Sequence, residues 1–190
     1  MSVTVRLYLD VDGCVCPLVA PDPAWGETES SSTFVDYRGG PGTIYDFVWA
    51  PALIRALDAV CASYDVELVW LTTWNNFESA WKHLEPHFGG LRHGRVIPPN
   101  RQPFFSGEEN QRGKAARIIE DQTTNPGPFI WVDDQEIETN CAAVEAATAG
   151  KPRLLMPVTS STGIRAEDIR KICQWLEAGI DRHDLPRSRG

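Results

Sequence analysis

Leu7-Tyr8-Leu9-Asp10-Val11-Asp12-Gly13 is the stretch on which the reading of this chain turns. The run from Val3 to Leu9 is nearly all apolar and partly β-branched, which predicts a buried strand. It ends on Asp10, a second carboxylate follows at Asp12, and Gly13 lets the chain turn. Carboxylates two apart point the same way on a continuing strand. Crowded in a cleft, they repel each other and favour a cation. That arrangement suits a Mg²⁺ site with one carboxylate free to attack phosphorus. It equally suits a strand that runs into an Asp-Gly turn.

Working outward, four more strand-like runs follow. Val66–Leu71 ends at Thr72-Thr73, Arg95–Ile97 is short, Phe129–Val132 precedes Asp133-Asp134, and Leu154–Met156 is the last. Helical periodicity appears between them. Ala50–Ser63 carries Leu53, Ala56, Leu57, Val60 and Cys61 as one stripe, with Pro51 in its first turn. Asn75–Leu84 is helical, stopped by Pro86 and Gly89-Gly90. Gly113–Glu120, a segment carrying Ile137, Cys141 and Val144, and Ala166–Ala178 complete the set. Strands alternating with helices predict an α/β, Rossmann-like open parallel sheet with helices on both faces. Ligands of such sheets bind at the carboxyl ends of the strands. Asp10, Asp12, Thr72, Thr73, Asp133 and Asp134 all fall there.

Residues 17–32, with three prolines and Ser30-Ser31-Ser32, read as an irregular loop. Thr33–Arg38 and Thr43–Trp49 flank Gly39-Gly40-Pro41-Gly42 and predict a small β-hairpin inserted after the first strand. Residues 100–112 read as a polar loop. The expectation is a single domain over residues 1–180, with 33–49 as a minimal cap insertion and 181–190 as a polar, frayed tail.

The 190 residues are 42% hydrophobic and 23% charged, as in an ordinary globular protein. The net charge of −8 gives no electrostatic footprint for nonspecific binding to nucleic acid or anionic membrane. No apolar run approaches the ~20 residues of a membrane span. The N-terminus lacks a signal-peptide layout, so a reducing, cytoplasmic setting is expected. Five scattered cysteines do not form a disulfide framework. Cys61, Cys141 and Cys173 read as core packing, and Cys14-Val15-Cys16 is a weak zinc or redox signal. Gly107–Ala115 misses the spacing of a phosphate-binding loop, and His83-Leu84-Glu85-Pro86-His87 misses that of a zinc protease.

The ordered set Asp10-x-Asp12-Gly13, a strand ending in Thr72, Lys114 at a helix start, and a strand ending in Asp133-Asp134 resembles the haloacid dehalogenase (HAD) superfamily of phosphohydrolases. The resemblance runs from Leu7 to Asp134, and the last strand and helix fit the same fold. It implies that Asp10 is the nucleophile and that Asp12 is general acid and then base. It implies Mg²⁺ held by Asp10, the backbone carbonyl of Asp12, and Asp133 or Asp134. Thr72, with Thr73 as alternative, would hydrogen-bond a phosphoryl oxygen, and Gly13 would shape the phosphate-binding turn. Lys114 would balance the charge between nucleophile and phosphate. An acid at Asp12 favours phosphoester hydrolysis over dehalogenation.

The short insertion implies a capless or minimally capped, open site. The expected partner is a phosphorylated substrate, small-molecule or macromolecular, with no membrane and with a neighbouring subunit allowed as lid. Aromatics of the hairpin, Phe34, Tyr37, Tyr45, Phe47 and Trp49, would either contact substrate or pack on the core. Two alternatives stand beside a phosphatase. One is a nucleic-acid end (3′-phosphate) phosphatase, with Arg92, Arg95, Arg101 and Arg112 lining a groove, although solvated loop charge is the favoured reading of those arginines. The other is a non-catalytic phosphate-binding module on the same fold.

Overall fold

The computed structural model describes residues 4–35, 42–76, 78–97 and 113–183. Strand β1 (Val5–Leu9) is the middle of a five-stranded sheet. The other members are β4 (Val66–Trp70), β5 (Arg95–Val96), β6 (Phe129–Asp133) and β7 (Arg153–Pro157). Their order is β5-β4-β1-β6-β7, and every pairing is parallel. Leu9 lies level with Trp70 on one side and Val132 on the other. The ends of β1, β4 and β6 therefore open at one level, which brings residues 10, 71–73 and 133–134 to one edge.

Alternation along β1 explains the two-sided core. Leu7 and Leu9 face one cluster, which contains Leu53 and Leu57 of α1 (Pro51–Tyr64) and Ile172 and Leu176 of α5 (Ala166–His183). Tyr8 faces the other, which contains Ala115 and Ile118 of α3 (Gly113–Thr124) and Ile137 and Val144 of α4 (Glu136–Ala147). The helices cover both faces, as the alternating pattern predicts. Tyr8 places its hydroxyl at the edge of its cluster, where it donates to Asp121 at 2.6 Å. Arg95 closes on the same Asp121 at 3.0 and 2.8 Å and on Glu67 at 2.7 Å.

The hairpin forms a separate two-stranded antiparallel sheet, β2 (Glu29–Val35) and β3 (Thr43–Trp49). Its first strand begins earlier than the sequence suggests, so Ser30-Ser31-Ser32 is strand rather than loop. Serines have little β-propensity of their own. Pairing decides: Ser31 lies opposite Phe47, and the Ser32 hydroxyl donates to Asp46 at 2.6 Å. The turn at 39–41 lies outside the described residues, as do 100–112 and 184–190.

Two further boundaries shift. The helix expected from Asn75 begins as a 3₁₀ turn, Thr73–Asn76, and α2 proper is Glu78–Leu84. At its other end α2 stops at Leu84 as expected, and Pro86 sits in the first turn of a 3₁₀ stretch, Glu85–His93, that kinks at Phe88 and Gly89. Helix α5 continues to His183, three residues into the expected tail. Among the described residues, no helix is long and apolar enough to cross a membrane.

Candidate active site

Asp10 is the first residue beyond β1, and its backbone N–H reaches the Val132 carbonyl of β6 at 3.4 Å. The chain then turns tightly: the N–H groups of Cys14 and Cys16 bond the Val11 carbonyl at 3.2 and 2.8 Å, and Gly13 N–H bonds the Cys16 carbonyl at 2.9 Å. Gly13 has φ +67°, and a Cβ there would lie 2.2 Å from the Asp134 carboxylate. Only glycine permits this approach of the β1 loop to the β6 loop. A second close approach locks the turn from outside. Gly163 (φ +65°) packs where a Cβ would strike the Cys14 carbonyl oxygen, and the Ile164 N–H bonds that oxygen at 3.0 Å.

Lys114, at the start of α3, reaches into this edge. Its Nζ donates to Asp10 Oδ2 and, at 2.7 Å, to Asp133 Oδ2. Burial works against the ammonium charge, but Asp10 and Asp133 outweigh it and push the lysine's pKa well up. Asp133 is fully buried and occupied on both oxygens. Its Oδ1 accepts the N–H groups of Gln135 and Glu136 at 2.9 and 2.7 Å, at the start of α4. Asp134 points elsewhere. One donor oxygen each from Asp10 and Asp134 and the Cys14 sulfur all lie within 4.8 Å of one another.

The electrostatics are those of a site short of positive charge. Burial pushes the Asp10 carboxyl up to about 6, against the pull of Lys114 and with the help of Asp133. Burial also pushes Asp12 and Asp134 up. Burial and the Asp10 charge drive the Cys14 thiol far upward. The Asp10 and Asp134 carboxylate oxygens are hard donors, which fit Mg²⁺ better than a soft metal.

Asp12 stands apart from that cluster. Its Oδ2 accepts the Trp74 indole N–H at 2.7 Å. Thr72 is buried at the same edge, and its hydroxyl oxygen accepts the Trp74 backbone N–H at 3.4 Å. Thr73 is exposed in the 3₁₀ turn.

A family model described as the HAD domain in Swiss Army Knife RNA repair proteins matches residues 6–169. The chain belongs to this HAD family. The match spans Asp10, Thr72, Lys114 and Asp133, and HAD domains are generally phosphohydrolases. No curated protein matches the chain.

Against the sequence reading, the structure gathers Asp10, Asp12, Gly13, Thr72, Lys114, Asp133 and Asp134 at one sheet edge and leaves Thr73 outward. Arg95 is committed to Glu67 and Asp121 and lines no groove at that edge. Arg101, Arg112 and the Arg92 side chain lie outside what is described. Two further residues at this edge carry little sequence signal. Trp74 is one, since an indole donor leaves no motif. Glu136 accepts the N–H groups of Lys114 and Ala115 at 3.0 and 3.3 Å, which fixes the start of α3 and thus the lysine. Burial pushes its carboxyl up to about 7. Its only sequence signal is an acidic residue three positions after Asp133, the spacing of a helix start.

Proposed function

We propose that this HAD domain is a Mg²⁺-dependent phosphomonoesterase that works through an aspartyl-phosphate on Asp10. The observation that carries the reading is the pairing of Lys114 with Asp10 and Asp133 beside a separately held Asp12. Phosphoryl transfer needs positioning and charge neutralisation more than unusual covalent chemistry. Asp10, Asp134 and the Asp12 backbone carbonyl would hold Mg²⁺, since Asp133 is taken by Lys114 and the start of α4. Bound there, the ion supplies neutralising charge for the phosphoryl oxygens.

The steps then follow from the chain's own groups. A carboxylate oxygen of Asp10 forms a bond to phosphorus as the bond to the leaving oxygen breaks. Asp12 gives its proton to that oxygen; burial, which holds the Asp12 carboxyl above its usual range, favours the protonated start. Lys114 and the Thr72 hydroxyl donate to phosphoryl oxygens. Water next attacks phosphorus, Asp12 takes its proton, and the bond to Asp10 breaks to release inorganic phosphate.

The family's occurrence in RNA repair proteins makes a terminal phosphate on RNA the substrate class to test first. The short hairpin insertion supports an open site. With Mg²⁺, phosphate release from a 3′-phosphorylated oligoribonucleotide is expected to exceed release from the matching mononucleotide, and Asp10→Asn is expected to abolish both. Equal rates on the two would contradict an RNA end as substrate. No release from either, or from a broad panel of phosphate esters, would favour a non-catalytic module.

A further inference from the structure

We propose that Trp74 is a positioning residue for proton transfer by Asp12. The inference rests on the phosphatase reading and adds a part to it. The indole N–H donates to Asp12 Oδ2 at 2.7 Å. Trp74 is itself held from several directions. Its ring is buried and meets Tyr45 edge-on at 5.0 Å and Phe47 at 4.9 Å, with interplanar angles of 82° and 73°. Its backbone N–H is bonded to Thr72. The donor is therefore fixed by β3 of the hairpin insertion and by the loop after β4.

Fixing Oδ2 fixes the rotation of the whole carboxyl group and assigns Oδ1 as the oxygen that carries the proton. In the first step the proton leaves Oδ1 for the ester oxygen as the phosphorus–oxygen bond breaks, its electron pair staying on that oxygen. Asp12 becomes a carboxylate at that moment, and a hydrogen bond to an ionised acceptor is stronger than one to a neutral one. The indole bond thus strengthens along the reaction, which is the condition for lowering a barrier rather than tightening substrate binding. The hairpin, on this account, acts on the chemistry through Tyr45 and Phe47.

The test separates proton delivery from general damage by its dependence on the leaving group. Trp74→Phe keeps an aromatic ring in the pocket and removes the N–H. Its kcat/KM is measured with Mg²⁺ on p-nitrophenyl phosphate, whose phenolate departs unaided, and on glycerol 2-phosphate, whose alkoxide needs a proton. Asp12→Asn serves as the reference, with an expected loss of about 10²–10⁴-fold on the alkyl ester. For Trp74→Phe the expected loss is about tenfold to a hundredfold on the alkyl ester and under about threefold on the aryl ester. Equal losses on both esters, or no loss, would overturn the inference while leaving the phosphatase reading intact. A wild-type protein inactive on both esters would overturn the phosphatase reading and this inference with it. Should Trp74→Phe fail to fold, the indole N–H proton resonance of Trp74 decides: it should move upfield in Asp12→Ala, and an unchanged resonance would refute the bond.

Discussion

Lys114 holds two carboxylates at once, and most of the site's geometry follows from that. Asp133 is fully buried, so its charge is tolerable only while Lys114 and two backbone N–H groups attend to it. Replacing Lys114 by Met leaves that charge with the amides alone. The expected cost is about 3 kcal/mol of folding stability, read from urea denaturation of the metal-free protein. Asp10→Asn, which removes one of several crowded carboxylates, should cost far less. Similar losses in both variants would contradict the view of Lys114 as the counter-charge. At this scale the sequence names the residue types and favours Thr72 over Thr73, but leaves Asp133 and Asp134 open. Thr72 versus Thr73, and Asp133 versus Asp134, are separated by how the chain turns just past a strand end. That turn is set by contacts such as the Gly13–Asp134 approach, which no local pattern encodes.

At the scale of elements, the sheet was legible because buried parallel strands are written as short apolar runs. The hairpin was only half legible. Its β3 has the β-branched and aromatic residues of a strand, whereas the serines of β2 become strand through pairing with it. The end of α2 at Leu84 is legible in Pro86, whereas the 3₁₀ stretch that follows is held by packing of Phe88 and Leu91 into the core, which no local pattern marks. The hairpin's hold on the domain runs through its inward residues. Phe47 is buried against Trp74, while Phe34 and Ile44 on the opposite face are exposed. Phe47→Ala is expected to cost about 3 kcal/mol and Ile44→Ala under about 0.5 kcal/mol in urea denaturation. A reversed ranking would mean that the hairpin docks by its other face.

For the whole molecule, the raised carboxyl groups tie stability to pH and to metal. Ordinary Asp and Glu titrate near 4. Burial pushes Asp10 up to about 6 and Glu136 up to about 7 in the fold. Between those limits the folded, metal-free protein holds more protons than the unfolded chain. Its stability should therefore rise as pH falls from about 8 to 5. The opposite contribution comes from Asp121. Burial opposes its charge, but the hydrogen bonds from Arg95 and Tyr8 outweigh that and hold its carboxyl below the usual value. Its stabilisation is present above about pH 4 and is lost as pH falls below that. Bound Mg²⁺ needs the carboxylates ionised, so the rise in Tm caused by Mg²⁺ should be larger at pH 8 than at pH 5.5. A Mg²⁺ effect independent of pH would argue that the ion binds elsewhere.

The central claim is that Asp10 of this HAD domain carries the phosphoryl group. It is tested most directly by acid-quenching the protein during turnover of p-nitrophenyl phosphate with Mg²⁺ and locating the phosphoryl group by peptide mass spectrometry. The expected result is one phosphoryl group on the peptide containing Asp10, absent in Asp10→Asn, whose phosphate release falls by about 10³-fold or more. Undiminished turnover by Asp10→Asn, with no phosphoryl group on that peptide in the wild type, would contradict the account.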